Sequence, residues 1–375
     1  MIYIHVPFCR KFCAYCSFYS ELAREGADAP LVRSWLDGLS REISARAGEL
    51  LSSDLALSTL YIGGGTPSVL PLPAWETLFG QLARAGLSAF EECTVEANPE
   101  DLVTRGPDYV PALLSLGVNR FSIGVQSLSD PVLKRMNRRH DAAGAREAFR
   151  LLRRSGADNI SVDLIFGIRD LSDEALLRSL DELVSWGPEH VSAYQLTLEP
   201  DSAWGKAREQ GMRDDEAPEE VCARQYGLIC ERLAAAGYLH YEISNWARPG
   251  REARHNSAYW RRIPYAGLGP AAHSLRILPD GRQQRSWNAP DLHWISKDGT
   301  PAEGGGSEWL TPDQQRSETL MLGLRTAQGI DPALLDPKPR ARALAQGLLE
   351  TCPDGRVRIP EARWFVSDGI VADLV

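Results

Sequence analysis

The feature that most limits the possible folds is an alternation of short apolar segments with amphipathic helical segments over the first 200 residues. The strand candidates are rich in Ile, Val, Tyr or Thr and are often followed by turn residues. They are residues 2–6, 59–62, 93–96, 120–124, 160–165 and 191–196. Helices are predicted from near Pro30 and at residues 74–85, 109–116, 142–155 and 173–185. Six β-then-α units predict a parallel sheet, because parallel neighbours are usually joined by helical crossovers.

Periodicity alone leaves a doubly wound sheet and a barrel both open. Polar or Gly-rich residues follow the ends of several different strands, where barrels of this type place their chemistry, so the pattern favours an α/β barrel.

The pattern changes after about residue 237. Residues 237–306 are rich in Trp, Tyr, Arg, Pro and Gly, and residues 301–306 are expected to form a flexible connection. Helices at 313–326, 340–349 and 361–374 with a strand pair around 357–359 predict a small α+β module, similar to a winged helix. We therefore expect three parts: a core barrel, an aromatic and Arg-rich extension, and a small C-terminal domain. Their predicted limits are 1–236, 237–300 and 301–375.

The charge and the N-terminal sequence exclude several functions. The chain has 375 residues and a formal net charge of −9, which disfavours a broad nucleic-acid surface. No segment approaches the roughly 20 apolar residues of a membrane helix, and the start lacks the features of a signal peptide. Seven cysteines do not indicate a secreted disulfide framework. We expect a cytoplasmic protein whose thiols stay reduced.

The sharpest motif is Cys9-x3-Cys13-x2-Cys16, directly after the first predicted strand. Three thiolates complete neither a tetrahedral zinc site nor a fully ligated cubane cluster. A [4Fe–4S] cluster held in this way keeps one iron open, and the amino and carboxylate groups of an amino acid could fill that position. Zinc with His5 or water as a fourth ligand is one alternative, and a redox pair at Cys13 and Cys16 is another.

This spacing resembles the cluster motif of radical S-adenosylmethionine (SAM) enzymes. The stretch from Tyr3 to Cys9 resembles the subgroup that contains oxygen-independent coproporphyrinogen III oxidase and the HemW-type heme chaperones. The resemblance covers nearly the whole chain and implies an incomplete (β/α)6 TIM-like barrel, which agrees with the strand count. It also implies a [4Fe–4S] cluster held by Cys9, Cys13 and Cys16, with bound SAM.

Several residues near the predicted strand ends suit a bound cofactor. The glycines of Gly63-Gly64-Gly65-Thr66-Pro67 allow close backbone approach to a ligand, although they could also form only a sharp turn. Glu96 could accept hydrogen bonds from ribose hydroxyls or cap a helix, and Arg138 could bind a carboxylate or belong to a solvated basic face. The resemblance implies a set of SAM contacts that includes these positions. It comprises Tyr3, Tyr15, Gly64, Gly65, Thr66, Glu96, Gln126, Arg138, Asp163 and Thr197.

The second half combines aromatic residues, histidines and arginines in a way that suits a flat macrocycle. Aromatic faces can stack, an imidazole can bind iron, and guanidinium groups can hold propionates. The resemblance associates the His-Asn-x-x-Tyr-Trp stretch with heme, which implies His255, Asn256, Tyr259 and Trp260 as heme-binding residues. His255 is the predicted axial ligand and His273 the second choice. The remaining histidines and cysteines are assigned to packing.

Two features favour the chaperone branch of the family. Phe18 stands where the oxidases usually carry a further cysteine, and the long N-terminal extension typical of the oxidases does not precede the first strand. The sequence departs from the family pattern at Ile168, Arg169 and Ala253. These departures leave the cluster ligands unchanged and bear on how a substrate is placed.

We expect a heme chaperone that binds a cluster and SAM and delivers heme to a hemoprotein acceptor. Coproporphyrinogen III oxidase, another radical SAM enzyme and a zinc-binding protein are the alternatives. An electron donor and a homodimer are possible partners.

Overall fold

The computed structural model describes residues 1–23, 29–51, 58–212 and 214–374. The strands are β1 (Ile2–Val6), β2 (Phe8–Cys9), β3 (Glu21–Leu22), β4 (Thr59–Gly64), β5 (Glu92–Ala97), β6 (Arg120–Gln126), β7 (Ile160–Phe166), β8 (His190–Gln195), β9 (Leu239–Glu242), β10 (Asn245–Ala247), β11 (Ala266–Leu268), β12 (His273–Ile277), β13 (Gln283–Trp287), β14 (Gly306–Leu310), β15 (Glu350–Thr351) and β16 (Val357–Arg358). The helices are α1 (Ala29–Ala45), α2 (Ala47–Leu50), α3 (Leu72–Arg84), α4 (Pro99–Thr104), α5 (Tyr109–Ser115), α6 (Asp130–Arg135), α7 (Ala142–Arg154), α8 (Asp173–Trp186), α9 (Ala203–Glu209), α10 (Glu219–Ala235), α11 (Arg254–Trp260), α12 (Pro312–Gly323), α13 (Pro337–Ala345) and α14 (Ser367–Ala372), with 3₁₀ turns at Pro67–Val69, Pro332–Leu334 and Glu361–Val366.

A nine-stranded sheet forms the centre of the molecule, in the order β11-β1-β4-β5-β6-β7-β8-β10-β9. The six predicted strands are β1 and β4 to β8, and they lie side by side in parallel, which confirms the predicted barrel. β11 extends this parallel set at the β1 edge, whereas at the other edge β10 pairs antiparallel with β8 and β9 pairs antiparallel with β10. The sheet therefore has two edges and forms an incomplete barrel.

The two faces of the parallel strands differ in chemistry. Ile4, Val95, Ile123 and Val162 are fully buried in the hydrophobic core on one face. The other face carries polar side chains at alternate positions, because successive residues of a strand point to opposite faces. We call the space that these residues line the barrel lumen. Its defining residues are Tyr3, Tyr61, Glu96, Ser122 and Asp163. A polar lumen inside an apolar shell positions the site.

The middle segment is tied to both neighbouring parts of the chain. β9, β10 and β11 belong to the main sheet, while β12 and β13 form an antiparallel sheet with β14. Residues 301–306 are expected to form a flexible connection, but Pro301 bridges Ile295 and Gly306 begins β14. Trp287 packs so closely on Gly306 that a Cβ there would lie 2.8 Å from its ring. The division of the chain at residues 236 and 300 stays a prediction.

The C-terminal part contains α12, α13, the antiparallel β15–β16 ribbon and α14. The predicted helix at 361–374 is divided into a 3₁₀ turn and α14. The indole of Trp364, in this turn, donates a hydrogen bond to the carbonyl of Ile359, which precedes the turn. The likeness of this part to a winged helix stays a prediction. Within the described ranges of the chain, no helix has both the length and the apolar character needed to cross a membrane.

Candidate cofactor and heme site

The three motif cysteines follow β1 at the carboxyl end of the sheet, and all three are free and partly exposed. The Sγ of Cys9 lies 3.4 Å from Thr66 Oγ1, and Arg138 Nη1 donates a hydrogen bond to Cys13 Sγ at 3.1 Å. Burial raises the pKa of Cys9, and it raises that of Cys16 to about 11. Metal binding at these two thiols therefore requires the release of protons.

The chemistry of the three thiols suits an iron–sulfur cluster. Among the residues that the structure describes, no group of three His, Cys, Asp or Glu side chains is close enough to hold one metal ion. A cubane binds each thiolate to a different iron, so its ligands lie farther apart than the ligands of one zinc ion. Three thiols on one loop beside an arginine suit the anionic cubane.

The glycine-rich loop after β4 is held against the cysteine segment by backbone contacts. Gly64 has a φ of +113°, and a Cβ there would lie 2.6 Å from the ring of His5. A Cβ on Gly65 would lie 2.8 Å from the Phe8 carbonyl oxygen, which accepts a hydrogen bond from the Thr66 N–H at 2.7 Å. Only glycine permits this approach, so the loop brings its backbone beside the cysteines.

Two carboxylates on the inner face lack a cationic hydrogen-bonding partner among the described residues. Glu96 accepts hydrogen bonds from the hydroxyl of Tyr61 at 2.7 Å and from the backbone N–H of Gly64 at 3.1 Å. Asp163 accepts a hydrogen bond from the hydroxyl of Ser122 at 3.1 Å. Burial raises the pKa of Glu96 to about 7, Asp163 raises it further, and burial also raises the pKa of Asp163. Such groups are suited to accept hydrogen bonds from hydroxyl or amino groups of a ligand.

Gln126 and Arg138 lie at the end of β6 beside the cysteine loop. Gln126 has a φ of +65° after an irregularity in the β6–β7 pairing, a conformation uncommon outside glycine and frequent at functional sites. Arg138 donates to the Gly124 carbonyl at 2.8 Å as well as to Cys13. The arginine thus links the end of β6 to the motif thiols.

The other predicted SAM contacts are less uniformly placed. Tyr3 stacks on Tyr61 with ring centroids 6.2 Å apart, and Tyr15 packs against Trp204 at 6.3 Å. Thr197 is exposed beyond the end of β8 and makes no hydrogen bond within the described ranges. Tyr15 also interacts electrostatically with Arg138 and Cys13, and Tyr61, on which Tyr3 stacks, donates to Glu96. Thr197 lies exposed beyond β8.

The His-Asn-x-x-Tyr-Trp stretch forms α11 at the amino end of the lumen, where β4 and β5 begin. The side chain of His255 is only 1% exposed, with Nδ1 2.9 Å from Thr59 Oγ1 and Nε2 3.1 Å from the hydroxyl of Tyr259. The backbone N–H groups of Arg254 and His255 both donate to the carboxylate of Glu92 at 2.8 Å. Burial lowers the pKa of His255 to about 3, so its imidazole is neutral. Ligation of iron through His255 requires one of the two ring contacts to break.

The rest of α11 faces different surroundings. Asn256 donates to the buried carboxylate of Glu242 at 3.0 Å, while Trp260 is half-buried at the end of the helix. Among the seven histidines, only His273 and His293 are exposed, and His273 stacks on Trp287 at 6.1 Å. The second-choice ligand is therefore more accessible than the first.

Sequence reasoning missed the partners that hold these side chains in place: Tyr61, Ser122, Glu92 and Glu242. The sequence does contain one sign of Glu92: its spacing from Glu96 places both side chains on one face of a strand. The contact of Glu92 with α11 depends on long-range packing, which no local pattern encodes.

Comparisons with known proteins agree with this geometry. The model of the Radical SAM superfamily matches residues 3–183. The chain is 35% identical to "Heme chaperone HemW" of Mycobacterium tuberculosis over 382 residues, covering 100% of this chain and 94% of that protein. It is 39% identical to "Heme chaperone HemW" of Escherichia coli over 288 residues, covering 76% and 72%. The structure of the radical SAM enzyme coproporphyrinogen III oxidase from Escherichia coli superimposes with a TM-score of 0.78 at 20% identity, over 99% of this chain and 89% of that one. This last similarity shows a shared fold.

Proposed function

Because this chain belongs to the HemW heme chaperone family of the radical SAM superfamily, we propose that it binds heme and transfers it to acceptor hemoproteins. The observation that carries the proposal is similarity to heme chaperones along the full chain, together with a cysteine loop held beside the glycine loop and Arg138. A [4Fe–4S] cluster and SAM are the cofactors of this family, and they supply one-electron chemistry when bound.

The residues at the carboxyl end of the lumen have separate roles in this proposal. Cys9, Cys13 and Cys16 hold the cluster, and Arg138 offsets the negative charge of the Cys13 thiolate. The other groups bind SAM: a backbone cradle, carboxylates that accept hydrogen bonds, and side chains along the rim. They are Tyr3, Tyr15, Gly64, Gly65, Thr66, Glu96, Gln126, Asp163 and Thr197, together with Arg138, whose guanidinium suits the carboxylate of SAM.

The heme-binding residues of the proposal are His255, Asn256, Tyr259 and Trp260 on α11. Because His255 is buried, heme binding through it requires the Tyr259 hydroxyl to leave Nε2. His273, which is more exposed than His255, is the alternative iron ligand. Partial burial of its ring and the charge of Arg285 lower its pKa, which favours the neutral imidazole that binds iron.

Heme titration of single-histidine variants tests this part. His255→Ala should weaken heme binding at least tenfold and leave iron and sulfide content unchanged. His293→Ala, which removes an exposed imidazole, is the matched control. Unchanged affinity in His255→Ala with loss in His273→Ala would transfer the iron ligand to His273.

The second candidate function is oxidative decarboxylation of coproporphyrinogen III, favoured by the shared fold with the Escherichia coli oxidase. Against it, Phe18, which is 70% exposed, stands where the family resemblance implies a further cysteine in the oxidases. Anaerobically reconstituted protein with reductant, SAM and coproporphyrinogen III separates the two functions. Protoporphyrinogen formed over many turnovers, detected by mass spectrometry, would overturn the chaperone proposal. No product, with stable heme binding in the same preparation, supports it.

Three further parts of the proposal concern location and partners. Thiols that bind iron must stay reduced, which supports a cytoplasmic location. An electron donor and a homodimer belong to the proposal as partners. Sedimentation of the protein before and after cluster reconstitution tests the dimer.

A further inference from the structure

Arg120 places a guanidinium group inside the barrel that has no hydrogen-bonding partner among the described residues. It lies on the same face of β6 as Ser122, which donates to Asp163 in the lumen. The residue is 3% exposed, and its Nε is buried without a hydrogen bond. Across the ranges that the structure describes, no side chain or carbonyl forms a hydrogen bond or ion pair with this guanidinium. An unpaired buried charge is strongly unfavourable, so the fold leaves Arg120 available to an anion.

Thr94 supplies a second unpartnered group at the same level of the lumen. It pairs with Arg120 in the parallel register of β5 and β6, so both side chains point to the same face. Thr94 is 0% exposed, and its Oγ1 has no hydrogen-bond partner among the described residues. A hydroxyl donor beside a guanidinium is a suitable arrangement for binding an oxyanion.

The charges around this pair define the kind of anion. Arg120 acts electrostatically on Glu96 and Asp163 towards the SAM side, and on His255 and Tyr241 towards α11. Neither carboxylate pairs with it. One guanidinium with two acidic groups nearby suits a single negative charge and disfavours a dianion such as phosphate. The planar fork of arginine matches the two oxygens of a carboxylate.

We propose that Arg120 and Thr94 form a carboxylate-binding site in the lumen, between the SAM residues and α11. The carboxylate belongs either to a tetrapyrrole propionate or to a small free carboxylate. The site itself does not depend on the chaperone function, whereas the propionate as occupant rests on it.

The first experiment uses sodium propionate as the probe on full-length reconstituted protein, with ionic strength held constant by chloride. Binding to wild type is measured by ¹³C-propionate NMR titration and by the shift in Tm. Arg120→Gln should weaken propionate binding at least tenfold, Thr94→Val should weaken it about three- to tenfold, and Arg120→Lys should be intermediate because it keeps only the charge. Arg154→Gln is the control, since Arg154 is exposed and pairs with Glu147 on α7.

Thr94→Val also protects the test against misfolding of the arginine variants, because valine has nearly the same shape as threonine. The second experiment compares hemin with hemin dimethyl ester. If a propionate of the tetrapyrrole occupies the site, wild type binds the ester at least tenfold more weakly and Arg120→Gln removes the difference.

Each combination of results decides between the proposals. Propionate binding with equal affinity for hemin and its ester supports the site and assigns it to a small free carboxylate. Propionate binding without any heme binding overturns the chaperone function and leaves the site standing. If Arg120→Gln and Thr94→Val alter neither propionate binding nor the preference for hemin over its ester, the inference is wrong.

Discussion

Replacement of Glu92 by glutamine should loosen α11 from the amino end of the barrel. The Glu92 carboxylate accepts the backbone N–H groups of Arg254 and His255, each at 2.8 Å, and the His255 donor is buried. Hydrogen bonds to a charged group contribute about 1.5–3 kcal/mol each. Glutamine keeps one acceptor oxygen, so one N–H loses its partner and α11 loses about 2 kcal/mol of stability.

The control for this experiment lies one residue away. Glu91 pairs with the side chain of Arg254, but both side chains are largely exposed, Glu91 by 58%. An exposed ion pair contributes about 0–1 kcal/mol, so Glu91→Gln should have little effect. The two substitutions change the net charge equally and affect the same helix, which isolates the buried contact.

Amide hydrogen exchange over residues 254–260 measures the effect directly, because α11 can open without global unfolding. About 2 kcal/mol corresponds to roughly 30-fold faster exchange, since 1.4 kcal/mol is tenfold. Equal exchange rates in the Glu92→Gln and Glu91→Gln variants would refute the reasoning, because the buried carboxylate would then contribute no more than the exposed one.

Three other changes test the carboxyl end of the barrel. Cys13→Ala should abolish cluster assembly, while Cys352→Ala should leave it intact. Iron and sulfide analysis measures the cluster content, and a fully loaded Cys13→Ala protein would contradict the three-thiolate site. Without SAM, the folded protein holds the Glu96 proton up to a pKa of about 7, so stability should fall as pH rises from about 4.5 to 7 and then level off. Urea unfolding should show a weaker fall in Glu96→Gln, and parallel curves for the two proteins would contradict this. Gly64→Ala forces a side chain into a positive φ against a buried imidazole and should cost about 1–3 kcal/mol, with weaker SAM binding in equilibrium dialysis. Gly48→Ala, in open space on a helix, should be neutral or slightly stabilising, and equal stability of the two alanine variants would exclude the packing argument.

The sequence predicts the parallel strands well because each carries its own local signal. The predicted strand at 2–6 coincides with β1, and β4 to β8 differ from their predictions by at most two residues at either end. The antiparallel sheet of β12 to β14 is not predicted, since its strands are polar or mixed and pair across a long loop. Local patterns specify elements, whereas these pairings depend on tertiary contacts.

The candidate site, like the fold, is predicted from the sequence only in its local features. The cysteine spacing and the glycine loop are readable in the sequence, and the inferred radical SAM resemblance is confirmed. The burial of His255 is not readable, because it follows from packing of α11 against Thr59 and Glu92, which lie far away in the chain. The sequence also does not reveal that Arg120 lies beside Thr94, since this placement depends on the register of β5 with β6.

The pairing of β1 constrains how this protein is synthesised. Ile2 in β1 pairs with Leu60 in β4 on one side and with Ala266 in β11 on the other. The ribosome therefore releases the cysteine loop long before β11 can cover the open edge of its strand. An uncovered apolar edge is a template for aggregation, and contacts so distant in sequence form slowly. We therefore expect that residues 3–183, the segment matched by the family model, do not fold alone, and that a fragment which stops before β11 is insoluble when expressed.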